Sequence, residues 1–556
     1  KQKTAYEIMP SLVGSEMCIR DSSNTALGYQ SMVTNTTGAY NTACGEGALK
    51  TNNGNDNVAV GYYALSANTT GTQNTACGKD ALLANTTGDN NVAVGMDALT
   101  ANTTGTKNVD EGLNALETET TSGSNTIIGK GAGQEATSSF EKNILIGYHC
   151  AQDITDGTGN VFVVPHIQEG SGDNNCHDYN TAIGRGALNL NVSGNYCTAV
   201  GYAALINSTA DKNTAVGYEA STSNTTGGWN TAIGYKALND STTGDHNTAL
   251  GHRAAHHNTT GTANVAIGFR AGHDTSTGSY NVSVGYRALH DNGTGEKNVG
   301  IGYSALTVNT SGAENTGVGN LALVANTTGS YNTSVGSLAL DANTSGDYNT
   351  AVGHNAAGAL TTGSWNTAVG RGSLQSSTTG TYNTAIGKDA SSSLTSAASN
   401  TTVGWQAGST VTTGNYNICI GFNAQPSSAT VDDEVVLGDF HITTLRCQTQ
   451  TISALSDARD KKEIEPSPLG VDFLNKLNPV KFLWDSREGS SKDGTYEIGF
   501  IAQELQAVQA DTGTEYLKMV LAENPDRLEA SYGQLVPILV QAIKELTTRV
   551  SELEKS

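Results

Sequence analysis

Basic residues are scarce in this chain: 30 Lys and Arg stand against 52 Asp and Glu, for a formal net charge of -22. Phosphate binding needs clustered Lys and Arg, so this balance excludes strong non-specific association with nucleic acid. The acidic surface serves instead to keep a long, sticky β-structure soluble. No run is long and apolar enough to span a bilayer, so membrane insertion is not expected. Cysteines number only 8 and form no framework. Cys44 and Cys77 stand where sister segments carry Val60, Val94 or Ile183, which predicts small buried hydrophobes. Cys197 replaces an Asn and Cys419 an Ala of the same pattern. This usage argues against a disulfide network and fits assembly in a reducing cytoplasm. No metal-ligand spacing appears, and neither a metal nor a cofactor is expected. Hydrophobic residues are sparse at 37 %, and 65 glycines accompany 8 prolines. That is lean for a globular core but suits thin coils packed with small side chains. Low hydrophobicity can also mean disorder, yet the regular placement of Val, Ile, Ala and Leu argues against it.

What the chain has in abundance is one pattern: Asn-Thr-Ala-Val-Gly, then Ala-Leu, then Asn-Thr-Thr-Gly. It starts at Asn57, Asn74, Asn91, Asn108 and Asn125, each step 17 residues, and runs again from Asn213 through Asn230 and Asn247 to Asn417. A fixed short period means one structural unit stacked many times. In residues 230–246, Thr231-Ala232-Ile233 is β-prone and Gly234 ends it; Ala237-Leu238 is a second apolar pair; Asn239 to Gly244 is turn-forming. The unit reads as two short strands joined by two turns, too short for a helix pair. Strands stacked in parallel at ~4.8 Å per coil would give about two dozen coils and a rod on the order of 115 Å. Such a coil encloses little volume, so several chains are expected to pack along the axis. The leading Asn invites a stacked amide ladder in addition to its turn role.

Two aromatic rows accompany the repeat. One follows the Gly (Tyr202, Tyr218, Tyr235, Phe269, Tyr286, Tyr303); the other precedes the Asn (Tyr40, Trp229, Tyr280, Tyr331, Tyr348, Trp365, Tyr382, Tyr416). Stacking between coils is the favoured reading, with a sugar-binding platform as the sharper alternative. The array is interrupted at residues 157–178, where an irregular coil with a surface loop is expected as a candidate binding site. His149, His166, Cys176 and His177 lie there or nearby, at no ligand spacing of note.

The copies Asn247-Thr-Ala-Leu-Gly251 and Asn264-Val-Ala-Ile-Gly268 resemble the head repeats of trimeric autotransporter adhesins. That resemblance covers residues 24 to about 430 and implies a parallel β-roll made by three chains. The family's units are usually shorter, with Asn-Thr-Thr-Gly as the insertion. Residues 1–22 do not match the repeat and lack a signal-peptide centre. Residues 8–21 resemble translated sequencing-adapter read-through, so 1–22 is read as a non-native or artefactual segment and the native N-terminus as missing.

At about residue 434 charges, Pro and helix formers take over. Short helices are predicted over 472–477 and 502–508, and a last helix from near Pro537 to about Glu554. There Val536, Leu539, Ile543, Leu546, Val550 and Leu553 fall on a and d positions of a heptad. The a/d usage leans toward two strands by rule, whereas three are expected from the shaft. Within Ser456-Asp-Ala-Arg-Asp-Lys461 a Ser hydroxyl and a Lys are close enough for a folded loop to join them. A Ser is a weak nucleophile until a base takes its proton, and a Lys serves if burial lowers its pKa. Spacing alone equally describes a solvated hinge.

The neighbours sharpen this. Ser456-Asp-Ala-Arg-Asp-Lys-Lys-Glu-Ile464, Leu477-Asn-Pro-Val-Lys-Phe-Leu-Trp484, Gly499-Phe-Ile-Ala-Gln-Glu504, Tyr532-Gly-Gln-Leu-Val-Pro537 and Ala542-Ile-Lys-Glu-Leu546 occur in order. Over residues 452–556 they resemble the endosialidase-type intramolecular chaperone at the C-terminus of phage tail fibres and tailspikes. The resemblance implies a trimeric chaperone that guides β-helical folding and then cuts itself off. By motif, Ser456 is the nucleophile, Lys461 its base, and Leu455–Ser456 the scissile bond. The segment 499–504 is expected mainly in core packing.

The expected fold is mainly β: a parallel β-solenoid of 17-residue repeats, trimeric, followed by a small α+β domain ending in a coiled-coil helix. Its parts are a repeat shaft (23–433), a connector (434–455) and a self-cleaving chaperone (456–556). The function expected is a tail-fibre or tailspike-like structural protein for host attachment, located in the virion and assembled in the host cytoplasm. Its partners would be two further copies, a host-surface glycan or protein receptor, and other tail proteins through the missing N-terminus. The alternatives are a bacterial trimeric surface adhesin and a polysaccharide-depolymerising tailspike. No paired carboxylates support a glycosidase, so the only catalysis expected is one self-cleavage per chain.

Overall fold

The structure is a computed structural model that describes residues 23–137, 139–164, 178–191, 193–439, 441–442, 459, 461–485, 494–522 and 528–555. The chain divides into two units, residues 1–346 and 347–556.

The first unit is a parallel β-solenoid. Its three-residue strands run from Thr25–Leu27 to Thr333–Val335, one per coil at the 17-residue period. Register follows the repeat: Thr214, Thr231 and Thr248 stand in line, as do Ala215, Ala232 and Ala249. Side chains alternate across a strand, so the central residue of each points inward and its neighbours outward. Ala232 is fully buried while Ile233 is 37 % exposed. The interior is narrow. At Gly300, which takes the Ala position, an added Cβ would lie 3.0 Å from Leu289 Cγ. Large apolar inward residues, Ile127, Leu145 and Phe162, stand around the lengthened coils, where successive Asn positions are 18 and 20 residues apart.

The alternation overturns one expectation. Cys44 is only partly buried and Cys77 is exposed, because each follows the inward residue, Ala43 or Ala76. Cys197 and Cys419, at inward Asn and Ala positions, are buried.

The second apolar pair of each unit forms no strand. Lys236 and Leu238 adopt left-handed backbone (φ 53 and 49), a conformation costing roughly 1–2 kcal/mol per non-glycine residue. The bend turns both Ala237 and Leu238 into the core. Its amides are still bonded between coils: Leu238 N–H donates to Ala254 O at 3.0 Å and Lys236 N–H to Tyr218 O at 2.9 Å. Gly234 has φ +137, and a Cβ there would stand 2.3 Å from Gly251 O.

The leading Asn is both ladder and turn. Asn230 is buried; its Oδ1 accepts from Asn247 N–H at 2.8 Å and its Nδ2 donates to Gly244 O at 2.8 Å. In several coils the amides also meet directly, as in Asn91 Nδ2 to Asn74 Oδ1 at 3.1 Å. The Asn of Asn-Thr-Thr-Gly makes a second column, with Asn85 Nδ2 donating to Asn68 Oδ1 at 2.9 Å.

The stretch 157–178 keeps the stack going at its start. Val161–Val163 pairs with Ile144–Ile146 on one side and Thr181–Ile183 on the other. Gly157–Thr158 pairs with Phe140–Glu141 as a small separate sheet. His166, Cys176 and His177 lie outside the described residues.

The second unit is also built on parallel solenoid strands, from Thr350–Val352 to Val435–Leu437, the last strand pairing with Ile418–Ile420. Beyond it comes a small α+β region: α1 (Val471–Leu474), a hairpin of Val480–Leu483 with Tyr496–Gly499, α2 (Ala502–Thr512), the short pair Val520–Leu521 with Glu529–Ala530, and α3 (Leu535–Leu553). Among the described residues no helix is long and apolar enough to cross a membrane.

Candidate functional site

The C-terminal region is organised around a core of Phe473, Leu505, Met519, Leu535 and Ile538. Each helix contributes one apolar face to it. α2 stops where Gly513 turns left-handed (φ 64) and its N–H returns to Gln509 O, the usual glycine exit from a helix. α1 is tied to α3 by a side chain acting as a distant cap: Val471 N–H donates to Glu545 Oε2 at 2.9 Å. Gly470 permits this approach, since a Cβ there would fall 2.1 Å from the Glu545 carboxylate. That backbone bond, with Gln541 second, holds Glu545 below the usual carboxylate range.

The sequence motifs converge here. Lys481 and Phe482 pair across the hairpin with Ile498 and Glu497. Phe500 N–H donates to Tyr532 Oη at 3.2 Å, and their rings meet edge to face at 5.5 Å. Asn478 Nδ2 donates to Glu504 Oε2 at 3.1 Å, and Lys476 meets Asp511 at 2.8 Å. A shallow recess is lined by Lys476, Leu477, Asn478, Phe500, Glu504, Leu505 and Val508. Within 499–504 the roles divide: Gly499 is buried and Phe500 packs on the core, while Gln503 and Glu504 face solvent.

Of the predicted cleavage residues, Leu455 and Ser456 lie outside the described residues. Lys461 is described and lies exposed. The geometry of the proposed dyad therefore has one described member.

The heptad residues share one face of α3, and that face is bare in the single chain. Val536 is 61 % exposed, Leu539 46 %, Ile543 61 %, Leu546 48 %, Val550 51 % and Leu553 72 %. Leu535, Ile538 and Ala542 are the buried ones and face the core. These six residues make an exposed apolar stripe along the helix.

The aromatic rows form ladders. Tyr202, Tyr218, Tyr235, His252, Phe269, Tyr286 and Tyr303 stack at 5.0–5.4 Å between ring centroids. Trp229 stacks on His246, and Trp365 between Tyr348 and Tyr382. Within these stacks the ring faces are engaged by one another, which favours inter-coil stacking there; Tyr40, Tyr280 and Tyr416 have no aromatic residue at the adjacent coil positions and are exposed.

Sequence reasoning sought metal ligands close together in the chain and passed over residues one period apart. His256, His273 and His290 occupy the same place in three successive repeats, and the coil brings them together with His257 and Asp274. The 17-residue spacing of those imidazoles was the signal that could have found them.

No curated protein matches the chain. Its residues 456–514, which begin at the serine read as nucleophile and end after α2, match the family described as chaperone of endosialidase, Peptidase_S74.

Proposed function

We propose that this chain is a tail-fibre or tailspike-like protein for host-surface attachment, assembled as a homotrimer, whose C-terminal domain aids folding and then releases itself. The observation that carries the reading is a chaperone-family match at 456–514 behind a long parallel β-solenoid. Parallel β-structures have many non-local contacts and sticky intermediates, so they fold slowly and aggregate easily. A C-terminal domain that gathers three chains would fix stoichiometry before the coils form. The bare stripe of α3 is suited to that task.

On this reading Ser456 Oγ attacks the carbonyl carbon of Leu455 while Lys461 takes the hydroxyl proton. The C–N bond then breaks, the proton passes to the departing amine, and an ester links Leu455 to Ser456 Oγ. Water hydrolyses that ester, leaving a carboxylate on Leu455 and a new N-terminus at Ser456. A lysine acts as base only where burial favours its neutral form, and Lys461 is on the surface of the single chain. Cleavage would thus wait for neighbouring copies to cover it, after which removal of the chaperone leaves a kinetically trapped shaft.

Intact mass of the expressed chain tests this beside Ser456→Ala and Lys461→Ala. The expected result is a cut at Leu455–Ser456 that both substitutions abolish. A wild-type chain that folds and stays whole would reduce residues 456–556 to an assembly cap.

A further inference from the structure

Three consecutive coils, 247–297, differ from the rest of the shaft in one column of side chains. His256, His273 and His290 form an inner file with only 9 %, 8 % and 7 % exposure. Asp240, His257, Asp274 and Asp291 form an adjoining outer file. The rings of the inner file are stacked, His256 to His273 at 5.2 Å and His273 to His290 at 4.9 Å.

These groups converge as donor atoms. His256 Nδ1 and His257 Nδ1 are 3.3 Å apart. Asp240 Oδ2 lies 2.5 Å from His257 Nδ1 and 3.8 Å from His256 Nδ1. One ligand atom from each of His256, His257 and His273 lies within 4.8 Å of the others. Zn–N bonds of about 2.0–2.1 Å in a tetrahedron place neighbouring donors ~3.3 Å apart. The His256–His257 separation of 3.3 Å is close to that edge, whereas the 2.5 Å from Asp240 Oδ2 to His257 Nδ1 is a hydrogen bond.

A second observation points the same way. His273 Nδ1 sits 2.8 Å from Asp274 Oδ1, and His290 Nδ1 sits 2.5 Å from Asp291 Oδ1. The other nitrogen of each ring, Nε2, is buried with no hydrogen-bond partner. With Nδ1–H given to a carboxylate, Nε2 holds a lone pair that has lost water and gained nothing. For His273, the one of the two that belongs to the His256–His257 cluster, this is the arrangement of a ligating histidine, with one nitrogen on a carboxylate and the other open. A hydrogen-bonded ladder alone leaves that lone pair unexplained.

Burial, with His257 and the Arg253 guanidinium among the contributing charges, lowers His256 to about 4, the carboxylate of Asp240 opposing them. Burial lowers His273 as well, against the pull of Asp274.

We propose that the cluster of His256, His257 and His273, with the Asp240 carboxylate hydrogen-bonded to His257 beside it, binds a borderline divalent transition-metal ion of the Zn²⁺ kind. Imidazole with carboxylate suits such ions better than Ca²⁺ or Mg²⁺, which prefer all-oxygen shells. The ion would link neighbouring coils through side chains, beside the backbone bonds that already join them.

The test uses the untagged full chain titrated with Co²⁺ alone, read by its visible ligand-field absorption, and with Zn²⁺ alone, read by calorimetry. His257→Ala is the informative variant: its side chain is 46 % exposed, and sister coils carry Ala325 and Ala342 at this place, so the fold tolerates it. The expected result is a tetrahedral Co²⁺ band in wild type, displaced by Zn²⁺, with affinity at least tenfold weaker in His257→Ala. Cys77→Ala, which removes an exposed thiol, should leave both unchanged. Absence of the band in wild type, equal affinity in His257→Ala, or loss of binding in Cys77→Ala would each overturn the proposal.

Discussion

Single residues decide where this repeat tolerates change. Asp110 occupies the inward strand position where neighbouring coils place Ala93 and Ile127. Neither of its carboxylate oxygens has a partner, and it is fully buried. Burial first, and the Glu119 charge second, push Asp110 well above the usual carboxylate range. Glu119 is also raised by burial, opposed by the Ser122 amide that donates to it. The folded state thus holds a proton that the unfolded chain releases near pH 4, so this contribution to stability is lost as pH rises above about 4. Asp110→Ala should stabilise the shaft at pH 7 by ~1–3 kcal/mol, the cost of an unsatisfied buried polar group. The gain should shrink toward pH 4 when denaturant midpoints are compared across pH; a gain that does not change with pH would refute the assignment. The Asn column works in the opposite sense. Asn332 Oδ1 and Nδ2 are buried between coils, with Nδ2 on Gly346 O at 2.7 Å and on Asn315 Oδ1 at 3.1 Å. Asn332→Ala should cost about 1–3 kcal/mol for each stranded partner. Chemical denaturation of the wild-type and variant chains checks this.

At the scale of the element, each coil joins one regular strand to an irregular bend. The strand was legible in the sequence, because Thr-Ala-Ile alternates and glycine closes it. So was the amide ladder, because Asn recurs at a fixed period. The bend was not legible. Ala-Leu reads as a strand fragment, and nothing in residue type announces a left-handed Leu238 (φ 49); the conformation follows from neighbours above and below that bond its amide. Cys77 was misread for a related reason: a one-residue shift along a strand exchanges inside for outside. In the C-terminal region the heptad predicted which face of α3 would be left bare, since a and d residues lie on one side. Whether Lys461 could serve as a base was beyond sequence reasoning, because a base is made by burial and not by spacing. If the stripe is the assembly seam, Ile543→Asp should abolish the oligomer in light scattering. It should also stop release of the 456–556 fragment, although Ser456 and Lys461 remain. Continued cleavage by a monomeric variant would separate the two activities.

For the whole molecule, the feature with the widest consequence is sameness. Each coil bonds to the next through nearly identical groups, so a repeat of this kind cannot count. Looping out one coil, or docking two copies one coil out of step, re-forms most of the same bonds. What distinguishes one position from another is the set of departures. These are Asp110 facing Ala93, the three-histidine column, Cys197 in place of Asn, and Asn-to-Asn steps of 16, 18 and 20 residues instead of 17. A slipped neighbour meets the wrong partner at each of them. The irregular coils then act as addresses in a structure otherwise without any, and the shaft carries its own ruler in its imperfections.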